Sequence, residues 1–210
     1  MRAVSFDLDD TLYPYEQYVD SGFRAAADLL VDELGVDLYE AFVEAYGAGH
    51  RSDAFDRVLA ANGYPDRAVD DMVAAFHSRV GPLEPYPGVR GLLEELGEDY
   101  RLAVITDGRN GHEKLAELGL ADVFDAVWVS PERGVTKREP EPFEVTLAEL
   151  GVGPSRTIHV GDHPTYDVAV PQKLGVQTVR VRQGRYANRD CSVPASVEVT
   201  SADEVASVVG

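Results

Sequence analysis

Acidic side chains follow the first apolar segment of the chain at once. Residues 3–6 read as a short strand, and Asp7 and Asp9 come directly after it. Because extended residues two apart share one face of the backbone, both carboxylates are expected to point into one site if the chain stays extended past Phe6. One carboxylate can act as a nucleophile, and the second can donate and accept a proton. The start of the chain therefore predicts a reactive pair of carboxylates.

Polar residues follow later apolar segments in the same way. Thr106 ends one segment, Lys137 lies in the loop after another, and Asp162 and Asp167 follow a third. Taken alone, each is more simply a cap, a turn former or a solvated side chain. Together with the carboxylate pair they meet the needs of phosphoryl transfer: oxygen ligands for a hard divalent cation such as Mg²⁺, positive charge, and a hydroxyl donor for the phosphoryl oxygens. We therefore expect one site that transfers a phosphoryl group.

The elements that must position these residues alternate regularly after Gly88. The predicted strands cover 101–105, 126–129, 157–160 and 177–181, and the predicted helices cover 89–96, 110–118, 142–150 and 203–208. Apolar strands that alternate with helices predict an α/β fold with a parallel sheet covered on both faces. Ligands bind at the carboxyl ends of such strands, which is where the polar residues fall.

A helical stretch interrupts this alternation after the first strand. Apolar residues recur at helical spacing from Tyr13 to about Val80, and a segment rich in proline and glycine follows at 81–88. The stretch is therefore an insertion and not a separate N-terminal domain. We predict a catalytic core formed by 1–12 and 86–210, and a helical domain over 13–85 with a hinge near 81–88.

The composition excludes several classes of protein. The chain has 210 residues with 37 acidic and 19 basic side chains, a net charge of −18, which disfavours binding to nucleic acid. Cys191 is the single cysteine, and no apolar run is long enough to span a membrane, so we expect a cytoplasmic protein without membrane contact. Lysine occurs only at positions 114, 137 and 173. Acid excess with so little lysine suggests adaptation to high salt, with an ordinary acidic protein as the alternative.

Four short motifs carry a resemblance to a known family. The segment DLDDTL at 7–12 resembles the first motif of the haloacid dehalogenase (HAD) superfamily, and Thr106 in ITDG the second. Lys137 in KREP resembles the third motif, and GD at 161–162 with Asp167 five residues later resembles the fourth. The motifs occur in the family's order and cover nearly the whole chain. The resemblance implies a Rossmann-like core and a small α-helical cap of the subfamily I type.

The resemblance also implies a role for each matched residue. Asp7 would be the nucleophile and Asp9 the general acid/base. The residues implied to hold Mg²⁺ are Asp7, Asp9 through its main-chain carbonyl, Asp162, and Asp167 directly or through water. Thr106, Asp107 and Lys137 would bind the phosphoryl oxygens of a small phosphorylated metabolite. The cap would close over the site, exclude water and select the leaving group.

This sequence departs from the family pattern at three points. Arg138 stands where a proline follows the motif lysine, so the loop that carries Lys137 is expected to be less rigid. Asp107 stands where asparagine is frequent and adds an acid near the phosphate. Val170 and Pro171 replace a Gly-Ala pair. Because proline is tolerated only in the first turn of a helix, we expect the helix after Asp167 to begin near Val168.

Several functions on the same fold stay open at this point. L-2-haloacid dehalogenases lack an acid at the position of Asp9, so Asp9 disfavours dehalogenation. A phosphoglucomutase-like phosphotransferase keeps all four motifs, and a catalytically idle binding protein normally loses some of the acids that are present here. The substrate and the oligomeric state are not readable from the sequence. Some aromatic and basic residues of the insertion could face the site, or could equally belong to the core or the surface. They are Tyr13, Tyr15, Tyr18, Arg24, His50 and Arg51.

Overall fold

The chain divides into two compact units. The computed structural model describes residues 1–64 and 69–209. One unit consists of Met1–Tyr15 and Leu83–Gly210, and the other of Glu16–Pro82. The predicted insertion 13–85 includes residues 65–68, which lie outside the described residues. The roles of catalytic core and cap stay predictions.

A six-stranded parallel sheet forms the centre of the first unit. Its strand order is β3-β2-β1-β4-β5-β6. The strands are β1 (Arg2–Phe6), β2 (Tyr100–Thr106), β3 (Ala126–Val129), β4 (Thr157–Gly161), β5 (Gln177–Val181) and β6 (Val197–Val199). The predicted α/β fold with a parallel sheet is confirmed. The edge strand β6 was not predicted, because three residues are too few to show a strand pattern.

Helices cover both faces of this sheet. The helices of the first unit are α5 (Val89–Gly97), α6 (Gly111–Glu117), α7 (Ser130–Arg133), α8 (Glu141–Leu150), α9 (Val170–Lys173) and α10 (Ala206–Val209). α5 buries Val89, Leu92, Leu93 and Leu96, the spacing of one apolar face of a helix. The sheet itself is apolar along nearly every strand, as a sheet buried on both faces requires.

The helix after Asp167 does not begin near Val168 as predicted. A π-helical turn spans Thr165–Ala169, and α9 starts at Val170. The wider turn is explained by Pro171, which has no N–H and whose ring would crowd the carbonyl four residues earlier in a continuous α-helix. Pro171 therefore lies in the first turn of α9, where its missing N–H leaves no bond unmade.

The second unit is helical in its described part. Its helices are α1 (Tyr15–Leu34), α2 (Tyr39–Gly47), α3 (Ala54–Ala61) and α4 (Val69–Ser78). Four phenylalanines from these helices, Phe23, Phe42, Phe55 and Phe76, form an aromatic cluster in which contacting rings have centroids 5.0–6.1 Å apart, and Phe23 and Phe42 are buried. Among the described residues of the chain, no helix is both long and apolar enough to cross a bilayer.

Candidate active site

Polar side chains meet at the carboxyl ends of the central strands. β1 lies between β2 and β4, with Phe6 level with Val104 and Val160. The residues that follow these strands therefore arrive at one edge of the sheet and line a cleft of about 250 Å³. All seven site residues predicted from the sequence line this cleft: Asp7, Asp9, Thr106, Asp107, Lys137, Asp162 and Asp167.

Lys137 joins two of the acids. Its Nζ donates a short hydrogen bond to Asp7 Oδ1 and another, at 2.7 Å, to Asp167 Oδ1. The side chain is almost fully buried. Burial alone would lower the pKa of Lys137, but the charges of Asp167, Asp7 and Asp107 outweigh it and raise the pKa above its ordinary value. Lys137 is therefore a fixed positive charge directly beside the Asp7 carboxylate.

Asp167 is held by three donors. Its Oδ1 accepts from Lys137 and lies 3.1 Å from His159 Nε2, and its Oδ2 accepts from the His163 main-chain N–H at 2.9 Å. Burial alone would raise the pKa of Asp167, but the charge of Lys137 and the hydrogen bonds from Lys137 and His159 outweigh burial and lower the pKa below its ordinary value. Asp167 thus stays ionised and orients Lys137.

His159 supports Asp167 from within β4, where the sequence placed it. Burial lowers the pKa of His159 and favours its neutral form. A neutral imidazole has one N–H, and the ionised Asp167 can only accept a hydrogen bond, so we assign the proton to Nε2. Nδ1 then accepts from the Ser5 hydroxyl at 2.9 Å. The place of His159 in the site was not predicted, because nothing in its sequence context distinguishes it from a core histidine.

Three carboxylates form a group that can hold a divalent cation. Oxygens of Asp7, Asp162 and Asp167 all lie within 4.8 Å of one another. Asp162 Oδ2 is buried and has no hydrogen-bond partner among the described residues. Burial and the neighbouring acids raise the pKa of Asp162 to about 9, and burial raises that of Asp7 to about 7. A buried, under-satisfied set of carboxylate oxygens fits a hard cation with oxygen ligands.

Thr11 links two members of this group. Its hydroxyl donates to Asp7 Oδ2 at 3.3 Å and accepts from the Asp162 main-chain N–H at 3.1 Å. The Asp7 main-chain N–H in turn donates to the Val160 carbonyl at 2.8 Å. These bonds tie the loop after β1 to the end of β4 and fix Asp7 against Asp162.

The Asp9 carboxylate lies outside the group of three metal-binding candidates. Its Oδ1 accepts from the Tyr13 hydroxyl at 2.6 Å and from Lys114 Nζ at 2.7 Å. Lys114 lies on α6 and is fully buried. Of the residues that the sequence left between site, core and surface, Tyr13 thus touches Asp9, and Tyr15 lines the cleft. Lys114 was not predicted, and the scarcity of lysine in this chain was the one signal that could have pointed to it.

Thr106 is the last residue of β2, and Asp107 follows it. Thr106 Oγ1 accepts a hydrogen bond from the Gly108 N–H at 3.0 Å. This bond uses a lone pair of the hydroxyl oxygen and does not use the hydroxyl hydrogen, which can donate to a ligand. Asp107 Oδ1 accepts from the Ser130 hydroxyl at 2.6 Å and from the Lys137 main-chain N–H at 2.9 Å. This second bond restrains the loop in which Arg138 replaces the motif proline. The binding of phosphoryl oxygens by Asp107 stays a prediction.

Arg185 brings a second cation to the cleft. It lies after β5, pairs with Asp10 through its main-chain N–H and Nε, and stacks on the Tyr15 ring with 3.8 Å from Cζ to the ring centroid. The neighbouring Gly184 has φ +64°, and a Cβ there would overlap the Asp10 side chain. The loop after β5 is therefore anchored on the loop after β1. This long-range pair was not predicted, because no sequence pattern links two residues 175 positions apart.

Comparisons with known proteins agree with this geometry. A family model described as haloacid dehalogenase-like hydrolase matches residues 1–175. The chain belongs to this family. It is 33% identical to a glyceraldehyde 3-phosphate phosphatase of Methanopyrus kandleri, covering 90% of this chain and 88% of the relative. A second glyceraldehyde 3-phosphate phosphatase, from Methanocaldococcus jannaschii, is 30% identical, and the match covers 100% of this chain and 97% of the relative.

A solved structure shows the same fold. The 2-haloacid dehalogenase of Pseudomonas syringae pv. Tomato DC3000 superposes on this chain with a TM-score of 0.73 and is 27% identical in sequence. The match covers 100% of this chain and 98% of the dehalogenase chain. The predicted HAD superfamily, its fold and an enzyme of the phosphatase type are confirmed by these findings. The roles of the individual site residues stay predictions.

Proposed function

We propose that this HAD hydrolase cleaves small phosphomonoesters at the cleft described above, with Asp7 as the nucleophile. The observation that carries the proposal is the Asp7 carboxylate, which is held by Thr11 and Lys137 at the centre of the cleft. A buried carboxylate with a fixed cation beside it can attack phosphorus, and the cation offsets charge on the phosphoryl oxygens. The phosphatase names of the relatives support the same substrate class.

The chain's own residues divide the reaction into two steps. An oxygen of Asp7 attacks phosphorus, the P–O bond to the leaving group breaks, and the electron pair stays on the leaving oxygen, which takes a proton from Asp9. Asp9 then accepts a proton from water as the water oxygen attacks the phosphorus of the aspartyl phosphate. The P–O bond to Asp7 breaks, its electron pair restores the Asp7 carboxylate, and inorganic phosphate leaves. Lys137 and the Thr106 hydroxyl hold the phosphoryl oxygens in both steps.

We propose Mg²⁺ as the cation that the acidic group holds. Asp7 and Asp162 would bind it through carboxylate oxygens, Asp9 through its main-chain carbonyl, and Asp167 directly or through water. A bound divalent cation supplies positive charge that offsets the charge of the phosphoryl oxygens. Asp162 Oδ2 supports this assignment, because it is a buried carboxylate oxygen with no donor among the residues that the structure describes.

The alternatives differ in the fate of the phosphoryl group. A phosphotransferase would pass it from Asp7 to a sugar phosphate instead of water, and the same residues would serve. Dehalogenation is disfavoured because the acid at position 9 is present and engaged by two donors. A catalytically idle protein is disfavoured because the acids with proposed roles are all present and line the cleft: Asp7, Asp9, Asp162 and Asp167.

Turnover of p-nitrophenyl phosphate tests the proposal. We expect hydrolysis that requires Mg²⁺ and that falls at least ~10⁴-fold in Asp7→Asn, because the amide cannot form the intermediate. Asp122→Asn, the same change at an exposed aspartate, serves as the control and should keep full activity. Wild-type turnover in Asp7→Asn, or turnover that EDTA leaves unchanged, would refute the assignment.

We further propose that the enzyme acts in the cytoplasm and is adapted to high salt. The single cysteine supports a reducing compartment, and the charge of −18 with only three lysines supports the adaptation.

A further inference from the structure

Lys114 is a buried lysine next to the proposed acid/base. It lies on α6, which follows the turn after β2, and its side chain has no exposed surface. Its Nζ donates to Asp9 Oδ1 at 2.7 Å, across 105 positions of sequence. The Nζ also lies 5.8 Å and 5.5 Å from the ring centroids of Tyr13 and Tyr15. An ammonium group is rarely buried unless it is paired, so this lysine has a specific partner and not a solvated position.

The two oxygens of Asp9 have different surroundings. Oδ1 accepts hydrogen bonds from both the Tyr13 hydroxyl and Lys114 Nζ. Oδ2 is the other oxygen of the carboxylate, and it lies so close to Gly108 that a Cβ there would overlap it. The same Cβ would come within 3.1 Å of Lys114 Nζ. Glycine at position 108 thus leaves room for both groups, and Asp9 and Gly108 both line the cleft.

We propose that Lys114 is a positioning residue that fixes Asp9 for proton transfer through Oδ2. The inference rests on the proposed function, because it assumes that Asp9 is the acid/base. Lys114 and Tyr13 hold Oδ1, so the carboxylate cannot rotate freely and Oδ2 is the oxygen that faces the leaving group. When Oδ2 gives its proton to the leaving oxygen, the negative charge that forms on Asp9 is stabilised by the Lys114 ammonium.

Dependence on the leaving group tests this role. p-Nitrophenolate leaves without a proton, whereas an alkoxide needs one, so only alkyl phosphates depend on a well-placed acid. For Lys114→Met, which keeps the length of the side chain and removes its charge, we expect kcat/KM for glycerol 2-phosphate to fall ~10-fold or more, and kcat/KM for p-nitrophenyl phosphate to stay within ~3-fold. Lys173→Met, the same change at an exposed lysine, should alter neither value.

Two further variants keep the test decisive. Tyr13→Phe removes one donor to Oδ1 with little change in shape, and it should show the same selective loss to a smaller degree. Lys114→Arg restores the charge and should recover part of the activity on the alkyl ester. If Lys114→Met does not fold, as judged by circular dichroism and Tm, these two variants decide the question.

The outcomes separate this inference from the proposed function. Equal loss on both esters, or no loss on either, would overturn the positioning role of Lys114. Asp9→Asn is measured alongside, and its kcat/KM should show the selective loss in full. Its kcat should fall on both esters, because Asp9 also accepts the proton of the attacking water in the second step. If Asp9→Asn loses activity selectively and the Lys114 and Tyr13 variants do not, the proposed function stands and the inference fails. If Asp9→Asn shows no selectivity, both the acid role of Asp9 and the inference are wrong.

Discussion

The acidic group holds more negative charge than its lysine can neutralise. Lys137 bonds to Asp7 and Asp167, whereas Asp162 Oδ2 has no hydrogen-bond partner among the described residues. The pKa values of Asp7, about 7, and Asp162, about 9, lie above the ordinary value of 3.8. Protons therefore occupy part of the site at neutral pH. The folded state binds these protons more tightly than the unfolded chain, so their contribution to stability is present below pH ~4 and is lost as the pH rises through 7 and 9.

Magnesium must displace these protons, so its affinity should rise with pH. Between pH 6 and 9 we expect the Kd for Mg²⁺ to fall by up to ~10-fold per pH unit for each proton released. Isothermal titration calorimetry in buffers of different ionisation enthalpy measures both the affinity and the protons released. An affinity that is constant or falls across this range would show that Asp7 and Asp162 are already ionised in the cation-free protein.

Single residues differ in how far the sequence could reveal them. Asp7, Thr106, Lys137 and Asp162 were predictable because each lies at or after the end of an apolar strand and matches a short motif. Lys114 was not, because its contact with Asp9 depends on the direction in which α6 presents its side chain. The chain has only three lysines, and two of them are buried at the site. The rarity of the residue was thus a usable signal.

The end of β4 packs closely on the π-helical turn that follows it. Gly161 is the last residue of β4. A Cβ at this position would lie only 2.4–2.6 Å from three atoms of the Asp167 side chain. Asp167 in turn holds Lys137 at 2.7 Å. The absence of a side chain at position 161 therefore lets the turn place Asp167 against the lysine. A strand end and a helical turn together position the cation beside Asp7.

Gly161→Ala should disturb the site through this contact. We expect the added methyl group to push Asp167 away from Lys137, and to lower the free energy of unfolding by about 1–3 kcal/mol, as overpacking does. Activity should fall with it, because Lys137 loses one of its two partners. Thermal unfolding and p-nitrophenyl phosphate turnover measure the two effects.

Gly153→Ala is the matched control for this change. Gly153 precedes β4 at its other end, has φ −77°, and has no atom within 4 Å of an added Cβ. We expect wild-type stability and activity for this variant. Equal behaviour of the two alanine variants would show that Asp167 is not held by its contact with Gly161.

Elements were predictable where their pattern is long and regular. The predicted strand 177–181 matches β5, and α8 differs from its prediction by one residue at its start. The π-helical turn at Thr165–Ala169 was not predicted, because its form depends on how Pro171 fits against the preceding turn. Patterns of apolar residues record burial, and they do not record such local adjustments of the backbone.

The whole molecule carries a large excess of negative charge. The net charge is −18, and exposed acids cluster in places such as Glu94, Glu95, Glu98 and Asp99 at the end of α5. Exposed ion pairs such as Arg79–Asp28, at 2.8 Å, neutralise few of these acids. At low ionic strength the acids repel one another over ~10 Å, and at 1 M salt the range falls to ~3 Å. Repulsion of this kind destabilises the compact state.

Salt should therefore stabilise this protein over a wide range of concentration. We expect Tm to rise steadily from 0.05 M to 2 M KCl, measured by circular dichroism at constant pH. A variant with Glu94→Gln, Glu95→Gln, Glu98→Gln and Asp99→Asn has four fewer negative charges at exposed positions and tests the cause. It should melt higher than the wild type at 0.05 M KCl and gain less from added salt, because less repulsion remains to be screened. A wild-type Tm that stays constant or falls with KCl would contradict adaptation to high salt, and equal salt gains in both proteins would show that the effect does not come from these acids.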